Sequence, residues 1–187
     1  MPDLSLCEPP PREDLLKQLR DRLGDLAPAL RLLAEGFLGA ESAIDFVGVE
    51  PGGRIVLVLV GEADQDLELV GRGLAQRAWS KPRLRDWLQL APNIGIRPET
   101  GIRTLLLAPA FGAEARAAAH CAEEIELAVY RCVRNGGGGE VLVESLSRAP
   151  AKPPPGPIPA APATLPFRSG LSDTDLGLSD SERREFE

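Results

Sequence analysis

Asp45 is the residue of this sequence that most needs a chemical reason. It lies in the run AIDFVGV, residues 43–49, directly between Ile44 and Phe46. Aspartate is disfavoured within strands, so this carboxylate either reaches solvent near a strand end or is kept for a site. A second feature is basic. Between residues 71 and 104, Arg72, Arg77, Lys81, Arg83, Arg85, Arg97 and Arg103 stand against Asp86 and Glu99 alone, a local balance of +5 in a chain of net charge −7. Such a cluster is either a solvated helix face or a surface for phosphates. Cysteine and histidine offer less. Cys7, Cys121 and Cys132 are odd in number and lack CxxC spacing, and the single histidine, His120, merely adjoins Cys121. Adjacent residues on a helix point in different directions, so these four read as structural and no metal site is expected from them. One histidine also leaves no Ser-His-Asp or Cys-His arrangement to build. The NGGGG run at 135–139 lacks the Lys-Ser/Thr ending of a phosphate loop and joins two strands instead of opening a helix.

The elements that must position these residues are legible in the apolar pattern. Residues 11–24 place Leu15, Leu16, Leu19 and Leu23 at helical spacing. A second helix is predicted over 26–38, with Leu30, Leu33 and Phe37 on one face. Residues 43–49 and 55–60 are short apolar runs around the turn EPGGR, which reads as a β-hairpin. The second run, IVLVLV, is apolar at every position, so it should be buried on both faces. Residues 64–91 carry a long helical pattern, broken near Lys81-Pro82 because proline disfavours helix at the residue before it. Trp79, Trp87 and Leu90 are expected in the core and not as base-stacking platforms. Strands are predicted at 102–108, 125–133 and 140–146, with an alanine-rich helix over 114–124. The order α, α, β, β, α, β, α, β, β predicts an α/β domain with a helix-flanked mixed central β-sheet.

The stretch EGFLGAESAIDFVGVEPGGRIVLVLVGE, residues 35–62, resembles the PD-(D/E)XK nuclease superfamily. The similar group has a helix with a glutamate, then the pattern G-x-IDLLAVD-x-DGRLVVIELK, then a helix. Ile44-Asp45 matches its Ile-Asp, Gly53-Arg54 its turn, and residues 55–60 the strand of its Glu-x-Lys. The resemblance spans residues 25–146 and implies a restriction-endonuclease-like core. It further implies that Asp45 and the helical Glu35 are remnants of a site in which aspartate and glutamate hold Mg²⁺ and lysine positions the attacking hydroxide. The glutamate position falls on Leu59 and the lysine position on Gly61, so no catalytic residue is expected to function. Restoring both, Leu59→Glu with Gly61→Lys, is then expected to create a metal-dependent gain in stability. Glu62 and Asp64 are the nearest substitute carboxylates, and Arg72 or Arg77 the substitute cations, for the rival reading of a Mg²⁺-dependent nuclease with relocated residues. Gln76 is read as an exposed helical glutamine, or else as a substrate-positioning residue of the kind some relatives carry. With Arg72, Arg77, Lys81, Arg83 and Arg85 it completes the candidate nucleic-acid contacts.

Hydrophobic residues make up 43% and aromatic ones 4%, so aliphatic side chains must supply the core. Residues 1–10 read as a flexible N-terminus and 11–147 as the domain. Eight prolines in the nineteen residues 148–166 predict an extended, disordered linker. In 167–187, Ser179 and Glu182 have capping-box spacing for a short final helix. The N-terminus lacks the apolar stretch of a signal peptide, and no run of about eighteen apolar residues exists to span a membrane, which predicts a cytoplasmic chain; with Leu59 and Gly61 at the resembled site, no cofactor is expected. Function is expected to be binding or scaffolding without catalysis. A protein partner is favoured, engaged through the C-terminal segment, and nucleic-acid binding is expected to be weak and salt-dependent.

Overall fold

Six consecutive apolar residues, Ile55–Val60, form the strand at the centre of the fold, and every one of them is buried. In a strand successive side chains face opposite ways, so Ile55, Leu57 and Leu59 enter one apolar layer while Val56, Val58 and Val60 enter another. The computed structural model describes residues 4–122, 124–135 and 138–146. In chain order these form β1 (Leu4–Leu6), α1 (Arg12–Leu26), β2 (Arg31–Leu38), β3 (Ala43–Val49), β4 (Ile55–Val60), α2 (Asp66–Ser80), α3 (Leu84–Leu90), β5 (Ile102–Ala108), α4 (Ala113–His120), β6 (Ile125–Asn135) and β7 (Gly138–Ser145). The strands make one seven-stranded sheet in the order β1-β6-β5-β4-β3-β2, with β7 also on β6. Pairs β4–β5 and β5–β6 are parallel, and the remainder are antiparallel. Helix α1 covers one face through Leu15, Leu19 and Leu23, and α2, α3 and α4 cover the other.

The hairpin and the break at Lys81-Pro82 lie where the sequence places them. Gly53, at φ 84°, closes the hairpin by donating its amide to Glu50 O at 2.8 Å. A 3-10 turn at Lys81–Arg83 separates α2 from α3. Two expectations are corrected. The helix expected over 26–38 is strand β2, paired antiparallel with β3. A register shift between Leu32 and Ala34 makes Leu33 an extra residue, and Gly36 adopts φ 57°. These irregularities imitate helical spacing. Leu33 and Phe37 pack on the α2 side, but Leu30 packs on the α1 side, so the three share no face. Within the N-terminus expected to be flexible, residues 4–6 form β1, which pairs Leu4 with Asn135 and Leu6 with Val133. The expected linker at 148–166 and the final helix and partner contacts of 167–187 lie outside the described residues. No helix among the described residues is long and apolar enough to cross a membrane.

Candidate functional site

Beyond the pairing of Phe46 with Val58, the ladder between β3 and β4 stops, although β4 stays paired with β5 as far as Val60 and Leu107. Asp45 fills this gap. Its Oδ2 accepts the Val60 amide at 2.7 Å, and its Oδ1 accepts a bond from Arg12 Nη2, also at 2.7 Å. Arg12 reaches in from the first turn of α1, and the same nitrogen donates to Val60 O at 3.3 Å. The carboxylate is 6% exposed. Asp45 therefore substitutes for backbone pairing where two strands part, and Arg12 supplies its counter-charge.

A cleft of ≈ 360 Å³ opens beside this pair, lined by Arg12, Ala43, Asp45, Val60, Gly61, Glu62, Gln65 and Arg72. Glu62 is exposed. Arg72 has no hydrogen-bond or ion-pair partner among the described residues, and its Nε is buried and unpaired. The floor is firm. Gly61 donates its amide to Leu107 O at 2.7 Å, and the buried Tyr130 hydroxyl donates to Gly61 O at 3.1 Å. Burial, with Cys132 and Glu62 adding and Arg12 opposing, pushes the Tyr130 phenol from 10.0 up to about 12. The folded state therefore favours the neutral phenol. That contribution to stability is intact below pH 10 and is lost as pH rises toward 12. Because Tyr130 is the sole tyrosine, absorbance titration should show no tyrosinate near pH 10 while the protein is folded. A normal titration there would contradict the buried bond to Gly61.

The remaining residues singled out in the sequence disperse. Leu59 is fully buried in the layer facing α2 and does not line the cleft. A Cβ on Gly61 would stand 2.7 Å from Leu69 Cδ2, so a side chain there would have to displace Leu69 in the same layer. Glu35 is not on a helix. It lies on β2 opposite Phe46 and pairs with Arg20 of α1 at 3.5 Å, away from the cleft. Of the substitute carboxylates Glu62 reaches the cleft and Asp64 does not. Gln76 is neither exposed nor in the cleft. It is 1% exposed, donates to Ser42 O at 2.8 Å and Ser42 Oγ at 3.0 Å, and accepts the Ala40 amide at 3.0 Å. It thereby fastens the β2–β3 turn onto α2, and Gly39 is needed there because a Cβ would overlap Gln76 Oε1.

The basic cluster divides likewise. Arg103 is 8% exposed and bonds Glu126 through Nε at 2.7 Å and Nη2 at 2.6 Å, and Glu50 through Nη1 at 2.6 Å. Burial works against its charge, but Glu126 and then Glu50 outweigh it and hold the guanidinium above its ordinary range. Arg77 pairs with Glu124. Arg83 donates to Trp79 O at 2.7 Å and lies 4.3 Å from the Trp79 ring centre. Arg72, Lys81, Arg85 and Arg97 remain without such partners among the described residues. Trp79 and Trp87 pack with Phe37, ring centres 5.1–6.4 Å apart, as core residues. Leu90, expected beside them, is 77% exposed.

The residues at the cleft do not fit Mg²⁺. A hard divalent ion needs several oxygen ligands. Both Asp45 oxygens already accept strong bonds, one from a cation, and Glu62 is the one other carboxylate in the lining. Among the described residues no group of three or more His, Cys, Asp or Glu is placed to hold a metal.

No protein-family model and no curated protein matches the sequence. Solved structures do match. A repair endonuclease from Pyrococcus abyssi is 14% identical, with TM-score 0.41 over 65% of this chain and 48% of that one. A chain of an EndoMS–dsDNA complex is 15% identical, with TM-score 0.38 over 66% and 46%. Pyrococcus furiosus SfsA, solved with Ca²⁺, is 12% identical, with TM-score 0.39 over 71% and 61%. The chain spans about half the length of the first two. The α/β class read from the sequence is met by the chain's own mixed sheet and its flanking helices.

Proposed function

We propose that this chain is a nuclease-fold domain without catalysis that works as a binding or scaffolding module, with a protein as its favoured partner. One observation carries the reading: the buried Asp45 carboxylate is occupied by Arg12 and the Val60 amide. The preference for protein rests on the net charge of −7 and on the engagement within the fold of three of the seven basic residues, Arg77, Arg83 and Arg103. The reading places the chain in the cytoplasm, a setting that suits three free cysteines. Millimolar Mg²⁺ or Mn²⁺ should leave the melting temperature of the full chain unchanged, since a ligand stabilises a fold only by binding it. The same ions should support no cleavage of single- or double-stranded DNA or RNA. Metal-dependent cleavage that disappears in both Asp45→Ala and Glu62→Ala would assign the rival reading, a nuclease with relocated residues.

A further inference from the structure

A helix lying on a sheet normally turns polar or charged residues outward. Helix α2 does not. Its inner face buries Leu69, Val70, Gly73, Gln76 and Ser80. Outward it presents Leu67, Gly71, Leu74, Ala75 and Ala78, all exposed, with Leu67 at 48% and Leu74 at 41%. Steps of four, three, one and three residues place them on one stripe, and none of them is charged.

Gly71 sharpens the point. Glycine in a helix interior is destabilising relative to alanine, so it asks for a reason. Gly73 has one, because a Cβ there would stand 2.9 Å from Leu106 Cδ2. A Cβ on Gly71 would meet nothing within 4 Å. The fold itself gives Gly71 no purpose, whereas close approach of another chain segment from outside would. Beyond the stripe, Lys81 and Arg85, with Asp86 beside them, are exposed and have no ion pair among the described residues.

We propose that this face of α2 is the docking site of the chain's own C-terminal segment, residues 167–187. That segment carries Phe167, Leu171, Leu176, Leu178 and Phe186, enough apolar surface to cover a stripe of this kind. Its six acidic residues exceed its three basic ones, which complements Lys81 and Arg85. Reach is ample. The described chain ends after β7, with the Leu146 amide bonded to Leu127 O of β6. Helix α2 lies over β4 and β5, roughly 25 Å away for strands about 4.8 Å apart under a helix layer about 10 Å high. Twenty residues, 147–166, suffice for a span of up to about 60 Å at about 3.1 Å per residue. An outside protein that used either surface would have to displace this contact, and the inference holds whether or not the Asp45 site is catalytic.

Zero-length carbodiimide cross-linking of the full chain tests it, using an equal mixture of ¹⁴N and ¹⁵N protein. Lys81 should couple to carboxylates within 173–187 about tenfold more than Lys17, which sits on α1 across the sheet beside Glu13 and Asp14. Those products should be of a single isotope, so the contact is within one chain. Leu74→Glu, at an exposed position, should lower the Lys81 yield to the Lys17 level, and Leu178→Glu should do so from the other side. Lys81 coupling no greater than that of Lys17 would overturn the proposal, as would yields that neither variant changes. Mixed-isotope products would also overturn it and would make a second copy the occupant.

Discussion

Leu59→Glu with Gly61→Lys, the double change that writes a Glu-x-Lys into β4, should cost about 4–6 kcal/mol and should not be rescued by Mg²⁺. That loss rivals the whole stability of a small domain, about 5–15 kcal/mol. Leu59 is fully buried among Leu33, Ile44, Leu57, Leu69 and Leu106. A glutamate there forfeits the leucine's burial, worth about 2–3 kcal/mol, and must lose its hydration or its charge. Lysine at residue 61 adds strain, because its Cβ would start 2.7 Å from Leu69 Cδ2, though Leu69 has some freedom to yield. The new carboxylate would also point into the layer beneath α2, away from the cleft beside Asp45. The family resemblance predicts the reverse, a metal-dependent gain, because it places Leu59 and Asp45 in one site. Urea unfolding of the two single variants and the double variant, with and without millimolar Mg²⁺, separates the two outcomes. A midpoint that rises with Mg²⁺ in the double variant alone would show that β4 can shift to bring the two carboxylates together.

Asp45→Ala should destabilise the domain by about 2–4 kcal/mol. It leaves the Val60 amide without its acceptor and Arg12 without its counter-ion. Asp45→Asn should cost less, because an amide oxygen can still accept from Val60. Arg12→Ala should cost about 1–2 kcal/mol. Arg12 is 43% exposed, so solvent screening already moderates its part of the pair. The double variant should fall short of the sum by about 1 kcal/mol, as expected for residues in direct contact. Chemical denaturation of the four proteins measures this coupling. A carboxylate kept for catalysis behaves differently, since active-site groups are commonly held at a cost to stability. Unchanged or raised stability in Asp45→Ala would therefore contradict the structural role given to Asp45.

The sequence carried the strands well because their signal is local. Every residue from Ile55 to Val60 is apolar, and a strand buried on both faces needs just that. Lys81-Pro82 marked the break after α2 through the steric effect of one proline ring. Asp45 stood out because its residue type disagreed with its neighbours. What it bonds to was hidden, since Arg12 is thirty-three residues away and no local pattern ties them. Strand β2 was misread for a different reason: a bulge at Leu33 and a left-handed Gly36 shift its side chains out of period two. Gly36 inside an apolar run was the available warning. Gln76 escaped in the same manner as Arg12, because its partners Ala40 and Ser42 lie across a turn. The position of Leu59 came from matching a motif, and a motif transfers residue order without transferring the layer into which a side chain points.

Strand β1 sets a condition on how the chain is made. Leu4 pairs with Asn135, and the Cys7 amide donates to Cys132 O at 2.9 Å. The first strand of the sheet in chain order thus closes on one of the last. Between them, β4–β5 and β5–β6 are parallel pairs, whose crossovers must be complete before they can zip, and such non-local pairing is slow. A ribosome must therefore deliver nearly the whole domain before its opening residues have a partner. During that interval Leu15, Leu19 and Leu23 of α1 lack Tyr130, Cys132 and Val141 of their final layer, the partly covered state in which nascent chains aggregate or meet chaperones.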